Sequence, residues 1–357
     1  MPADGSPPRG GATEGAARGR RGDGARPAWK RGLLTRRAFV LGGAAVALAA
    51  LSGWVAWGNG ALEATRVAVA SARLPRAFDG YRVAHVSDLH NAEFGPDNRD
   101  LLDMLRSLGP DLVAVTGDLV DSRRTDFDVA ARFVEGAAAV APVMCVAGNH
   151  EARVARRDPT GYAAHERRLA AVGATVLHGG VCTAERDGAR IAVLGVDDPS
   201  AQTGAEDGFR GVATWGEADI MRRRLAGLAV GVRSGNAVGA GRDGGETTGD
   251  GAPFTLLLSH RPELFDVYAE AGVDLVLAGH AHGGQFRLPF VGGVLAPNQG
   301  FFPRYDAGLY TGEPSGPSGH ATSMVVSRGL GNSLFPFRVN NRPEVVLVEL
   351  HRQPDEG

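Results

Sequence analysis

The chain has 357 residues, of which 43% are hydrophobic and 22% charged, enough apolar material for one large domain or two ordinary ones. Its net charge of −2 supplies no basic field and argues against a nucleic-acid partner. The two cysteines, Cys145 and Cys182, form no metal-binding spacing, and Cys145 sits in the apolar run VMCVAG as a small buried hydrophobe.

Residues 1–33 are rich in Gly, Ala, Pro and Arg and nearly free of large apolar side chains, so they read as a disordered tail. Residues 34–60 follow as LTRRAFVLGGAAVALAALSGWVAWGNG, uncharged from Ala38 to Trp57. A helix of about twenty residues rising ~1.5 Å each crosses a hydrocarbon core of roughly 30 Å, which predicts a membrane anchor. The arginines before it, with no matching cluster directly after, predict a cytoplasmic N-terminus and an extracytoplasmic remainder. The pair Arg36-Arg37 followed by Phe39 resembles a twin-arginine export signal, which implies the export machinery as a partner. The best cleavage site, Ala68-Val69-Ala70, falls in TRVAVASARLP, which alternates like a strand. An uncleaved single-pass anchor in the cytoplasmic membrane is therefore expected, with a secreted form as the alternative.

From residue 65 to 352 apolar runs alternate with helical patterns. YRVAHVSD is a strand, PDNRDLLDMLRSLGPD a helix, DLVAVTGD a strand, DFDVAARFVEGAAAV a helix and PVMCVAGNH a strand. GYAAHERRLAAVG is again a helix and ARIAVLGVDD a strand. ADIMRRRLAGL, FTLLLSH, PELFDVYAEAG and VDLVLAGH continue the alternation, which predicts an α/β fold with helices covering sheet faces. TSMVVSRGL and PEVVLVEL follow without an intervening helix, so a largely antiparallel closing section is expected. Residues 229–253, dense in Gly, break the rhythm and read as a flexible surface insert.

The polar residues cluster at predicted strand ends: Asp88 and His90, Asp118, Asn149 and His150, His260, then His280 and His282. In α/β sheets ligands bind beyond the carboxyl ends of the strands, so these clusters converge on one crevice. Seven of them, all but His150, form an oxygen and imidazole set without thiolate, which suits Mn, Fe or Zn. That set exceeds one four-coordinate ion and fits two ions about 3.5–4 Å apart with a bridging carboxylate. Asp118, lying between the early and late clusters, is the natural bridge.

The blocks DLH, GD, GNHE, SH and GHAH, in that order between about Arg66 and Leu350, resemble the calcineurin-like metallophosphoesterases. The flanks SDLHNAEFG, GHAHGGQFRLP, GLY and SRGLGNSLFPFR are similar to the bacterial branch of the YkuE/YaeI type, whose members are membrane-associated or exported. The resemblance implies a four-layer α/β/β/α sandwich with mixed sheets. It implies that Asp88, His90, Asp118 and His282 hold one metal, that Asp118, Asn149, His260 and His280 hold the other, and that His150 is the catalytic imidazole. Two bound cations lower the pKa of a bridging water from about 15.7 toward neutrality, so a metal-bridging hydroxide attacks phosphorus while His150 stabilises or protonates the leaving oxygen. Asn91 and Glu151 are candidates for orienting His150 or a ligand, with an exposed role as the competing reading. Arg328 and Arg338 read as structural.

The expected activity is hydrolysis of phosphate mono- or diesters at the cell envelope by a monomer, with a phospholipid or envelope precursor as candidate substrate. Two other readings stay open: a pyrophosphatase acting on a nucleotide- or lipid-linked envelope intermediate, and a non-catalytic wall- or lipid-binding module with a structural metal site.

Overall fold

The structure, a computed structural model, describes residues 28–204, 215–233, 252–314 and 319–353. The chain divides into two compact units, residues 1–52 and 53–357. A helix runs Ala28–Gly60, with residues 53–60 belonging to the second unit, and begins six residues inside the stretch expected to be disordered; residues 1–27 lie outside the described residues. The helix continues through leucine-, alanine- and valine-rich sequence without a proline, which leaves its hydrogen-bond ladder unbroken. Its portion Arg36–Gly60 is long and apolar enough to cross a membrane.

The second unit is built on two six-stranded mixed sheets. One orders its strands Glu63–Ser71, Glu344–Arg352, Tyr81–Val86, Leu112–Val115, Val143–Cys145, Ala174–Val176. The other orders Gly308–Thr311, Ser323–Val326, Leu275–Ala278, Thr255–Leu258, Ala189–Gly195, Gly180–Arg186. Period-two alternation explains the layering. Leu112 and Ala114 point between the sheets, where they meet Leu256, Leu258, Leu275 and Leu277, while Val113 and Val115 point the other way into helices Arg99–Leu108 and Phe127–Ala138. Across the second sheet Leu257 and Val276 meet helices Trp215–Arg233 and Phe265–Glu270. Because both faces of each sheet are covered, the central strands read as unbroken apolar runs, and the layers are the expected α/β/β/α.

Three local expectations change. The closing strands are mixed: Glu344–Arg352 runs parallel to Glu63–Ser71 and antiparallel to Tyr81–Val86, and Ser323–Val326 runs parallel to Leu275–Ala278. A helix is needed only for a crossover between consecutive parallel strands of one sheet, and these two strands join different sheets. The strand Gly180–Arg186 had no place in the predicted order, although it forms a hairpin with Ala189–Gly195 through Asp187-Gly188, both in left-handed backbone as a tight two-residue turn requires. The helix Trp215–Arg233 extends past residue 229 into the presumed insert, and residues 234–251 of that insert lie outside the described residues.

Strands Tyr81–Val86, Leu112–Val115 and Val143–Cys145 are mutually parallel, as are Thr255–Leu258 and Leu275–Ala278. Each set therefore delivers the residues that follow its strands to one edge of its sheet.

Candidate metal centre

The segments leaving these strands turn sharply. Asp88, His90, Asp118, His280 and His282 all have φ between 47° and 65°, a left-handed conformation uncommon for residues with a Cβ and frequent at functional sites. Two glycines permit the crowding that results: a Cβ at Gly148 would collide with Asp118 Oδ1, and one at Gly279 with Ser87 Oγ.

Two groups of donor atoms hold the seven expected ligands, and His150 stands in a third with His90 and Asp118. In the first, Asp88 Oδ1 lies 3.7 Å from His90 Nε2 and 3.4 Å from His282 Nε2, and the two imidazole nitrogens are 3.2 Å apart. In the second, His260 Nε2 lies 3.2 Å from Asp118 Oδ2, 2.8 Å from Asn149 Oδ1 and 3.2 Å from His280 Nδ1. Asp118 Oδ2 is also 3.6 Å from His90 Nε2, so the one carboxylate oxygen touches both groups. The structure thus brings all seven expected ligands together, and all seven are buried.

The spacing fits cations better than hydrogen bonds. Asp88 Oδ1 is buried with no hydrogen-bond partner, although His282 Nε2 and His90 Nε2 stand 3.4 and 3.7 Å away. Ligands held at about 2.1 Å from a common ion stand roughly 3.0 to 3.4 Å from one another in octahedral or tetrahedral arrangement, the separation of four of these pairs, with the others at 2.8, 3.6 and 3.7 Å. His260 is oriented for this, since its Nδ1 faces the Thr116 carbonyl at 2.7 Å, which leaves the Nε2 lone pair directed inward.

Burial works against charge on every member, and the charges divide accordingly. Burial opposes ionisation of Asp88 and Asp118, yet His282 and His90 hold the first, and His260 and His150 the second, well below the usual carboxylate range. Burial pushes His282 down to about 3 and His280 well below its ordinary value, so both are neutral donors. Burial also depresses His260, but the Asp118 carboxylate overrides it and lifts the imidazole to about 10; Asp88 and Asp118 raise His90 in the same sense. A raised imidazole keeps its proton at neutral pH, and a cation must displace it. Loading metal-free protein with Mn²⁺ at pH 7 should therefore release about one to two protons, and affinity should weaken as pH falls. Calorimetry in buffers of different ionisation enthalpy measures the release; heats independent of buffer would show that both imidazoles were already neutral.

A second layer of contacts holds the donors. Glu151 is buried, its Oε2 accepting from Asp118 N (2.8 Å) and Gly148 N (2.9 Å) and its Oε1 from Val120 N (3.1 Å), so it positions the Asp118 loop and has no exposed role. Asn91 Oδ1 accepts from Asp121 N (3.3 Å), and the adjacent Ser122 N donates to His150 Nδ1 (2.9 Å). That backbone donor sets the tautomer of His150: Nδ1 is the acceptor, so Nε2 carries the hydrogen, and it faces Ser333 Oγ at 3.2 Å. Burial pushes the ring's pKa down to about 4, keeping it neutral. The ring packs edge-on to His90 at 4.5 Å between centroids.

Arg328 pairs with Glu344 (2.6 Å) and Glu63 (3.2 Å), while Arg338 donates to the Arg328 carbonyl (2.6 Å) and lies 3.3 Å from His282 Nδ1. Both are structural, as their sequence context suggests. Residues without any signature complete the shell. Arg261 is buried against Asp198 (2.9 Å) and stands 3.3 Å from His280 Nε2, and Leu330 N and Gly331 N donate to the Ser87 and Asp88 carbonyls at 3.0 and 2.6 Å. The Arg261 beside SH and the second aspartate of GVDD were the available signals, and neither distinguishes an ion pair from a surface charge.

Residues 81–284 match the family model described as calcineurin-like phosphoesterase. The chain is 26% identical over 295 residues to the uncharacterized metallophosphoesterase YkuE of Bacillus subtilis, covering 81% of this chain and 85% of that protein. It is 42% identical over 96 residues to the phosphodiesterase YaeI of Escherichia coli, which spans 27% of this chain and 32% of YaeI. A transmembrane protein with metallophosphoesterase domain from Danio rerio is 27% identical over 289 residues, 78% of this chain and 55% of its own length. A match across more than half of the chain, taken with two donor groups that share a carboxylate, means that this protein belongs to the calcineurin-like phosphoesterase family and is a metal-dependent phosphoester hydrolase with a dinuclear divalent-metal site.

Proposed function

We propose that the protein hydrolyses phosphate mono- or diesters at the extracytoplasmic face of the membrane, held there by the uncleaved helix Arg36–Gly60, with residues 65–352 as its catalytic domain. The observation that carries the hydrolytic reading is the position of Asp118 Oδ2, within 3.6 Å of donor nitrogens from both groups. In this reading Asp88, His90, His282 and Asp118 hold one ion, and Asp118, Asn149, His260 and His280 the other. When bound, the pair supplies Lewis-acid neutralisation of the phosphoryl oxygens and lowers the pKa of the attacking water.

The chain's own residues do the rest. Glu151 fixes the Asp118 loop through three backbone N–H groups, so the shared carboxylate does not reorient during turnover. His150 accepts from Ser122 N–H, so its Nε2–H is the group offered to the phosphoryl or leaving oxygen as negative charge develops there. Ser333, on the closing loop, holds that Nε2 until substrate arrives.

YaeI is named as a phosphodiesterase, which puts diesters first in the test. Turnover of bis-p-nitrophenyl and p-nitrophenyl phosphate by the Mn²⁺-loaded full chain is the decisive measurement. Folded, metal-loaded protein that turns over neither ester would reject the mono- and diester reading.

A further inference from the structure

Nine large apolar side chains beyond the anchor helix are exposed among the described residues, and seven of them fall within residues 288–302 and 334–337. Phe290 is 109% exposed, Phe302 62% and Leu334 51%. The two segments form one face. Phe286 packs its ring 5.4 Å from Phe335 and 5.7 Å from Phe337, and Arg287 N donates to the Val339 carbonyl at 3.0 Å. Phe301 pairs with Leu295, and Phe302 N donates to the Val294 carbonyl at 2.8 Å, which ties the second pair of phenylalanines to the same hairpin region.

Folding of the isolated domain gives no return for this arrangement. Phe290 and Phe302 have φ of 66° and 55°, left-handed conformations that glycine or asparagine occupies with less strain. Two aromatic rings are thus held in unfavourable backbone and also left in water. A contiguous exposed apolar face of this kind marks a contact with something apolar.

The chain itself indicates the occupant. The face continues into the end of the apolar helix: Asn340 Nδ2 donates to the Arg287 carbonyl at 3.4 Å, and Trp54 Nε1 donates to Asn340 Oδ1 at 3.3 Å. Asn59 is fastened to the same closing loop, its Oδ1 accepting from Arg338 N (2.8 Å) and Asn332 Nδ2 (3.1 Å). Trp54 and Trp57 are the residue type favoured at the headgroup level of a bilayer, and they mark the depth at which the chain emerges. We propose that the hairpin tip Leu288–Val291, together with Phe302, Leu334 and Phe337, is a second membrane contact that lies in the lipid interface beside the emerging helix. The inference rests on reading Arg36–Gly60 as a membrane segment. Apolar side chains set among polar neighbours bind an interface in this way, at the boundary of headgroups and acyl chains. The same closing loop carries Ser333, 3.2 Å from His150 Nε2, between the membrane-facing residues Leu334 and Phe337 and the catalytic candidate. The metal centre then opens at the bilayer surface, where phosphate esters carried by amphiphiles are held, and soluble esters reach it only by diffusion.

The test uses the full chain in phosphatidylcholine–phosphatidylglycerol vesicles, with a nitrobenzoxadiazole fluorophore on Phe290→Cys or Phe302→Cys in a Cys182→Ser background. Asp187→Cys is the control, because its turn precedes Ala189–Gly195 and so lies at the opposite end of the second sheet from the metal centre. Flotation reports the helix, and thermal melting reports the fold, so neither readout depends on turnover. The expected result is quenching by doxyl-labelled lipid and loss of iodide quenching at positions 290 and 302, with the reverse at 187. Iodide quenching at 290 and 302 equal to that at 187 overturns the proposal. So does shielding from iodide without quenching by lipid, the result a second copy seated on this face would give. Protein that fails to float with vesicles overturns it together with the membrane reading of the helix.

Discussion

Asp118→Asn should bring bound metal from two equivalents to a trace and turnover to background. The reason lies in the two oxygens of the carboxylate. Asp118 Oδ1 accepts the His150 backbone N–H at 2.8 Å, and only an oxygen can fill that position. An asparagine that keeps this bond must place its NH₂ where Oδ2 stood, 3.2 Å from His260 Nε2 and 3.6 Å from His90 Nε2, so a hydrogen-bond donor replaces the lone pairs that both ions would share in the proposed site. Asp88→Asn follows the same logic on one side only. Its Oδ2 is held by Ser87 Oγ (2.6 Å) and His280 N (3.1 Å), so the amide nitrogen is driven to the Oδ1 position between His90 and His282. Elemental analysis separates the two: Asp88→Asn should retain about one equivalent, in keeping with its contact to a single donor group. Two retained equivalents in Asp118→Asn would remove that residue from the shared position.

The contrast between these variants shows what the sequence made legible. The donor residues follow five strands, and a strand that is buried on both faces announces itself as a short apolar run, so Val83 to Val86 and Leu275 to Ala278 locate Asp88 and His280 without any structure. Convergence within each parallel set also follows, because parallel strands share one carboxyl edge; that the edges of two separate sheets meet is a matter of how the sheets pack. What holds the donors in place is less visible. The Glu151 contacts to Asp118 and Val120 cross about thirty positions, and the Ser333 contact to His150 spans 183, with no periodicity to mark them. The partners are single polar residues, Glu151 in the first turn of a short helix and Ser333 in a loop, and composition does not distinguish a buried acceptor from a solvated one. The direction of the closing strands is hidden for a related reason: it depends on which sheet a strand joins, and Glu344 to Arg352 lies beside a partner some 280 positions earlier. The missed hairpin is different, since Asp187-Gly188 was a local signal in plain view.

His150→Ala should leave both metals in place and lower turnover by about 10²–10³, the usual consequence of losing one preorganised donor to a transition-state oxygen. Metal retention is expected because His150 stands outside the proposed ligand set, and Asp118 still accepts from the backbone N–H of residue 150, which alanine keeps. A modest stability loss should accompany it, since Ser122 N–H is buried and would be left without its acceptor, at about 1–3 kcal/mol. Ser333→Ala removes only the hydroxyl facing Nε2 and should change turnover far less. The pH profile distinguishes a neutral donor from a titrating acid. Burial holds His150 near 4, below its ordinary value, so the ring is neutral throughout the range above that pKa and gains a proton only as pH falls through it. The ratio of wild-type to His150→Ala rates should therefore be flat from about pH 6 to 9, whereas an imidazolium acting as general acid would make that ratio fall as pH rises through its pKa. Equal metal loss in His150→Ala and Asp118→Asn would place His150 among the ligands, and a ratio that collapses above neutral pH would replace the neutral donor with a general acid.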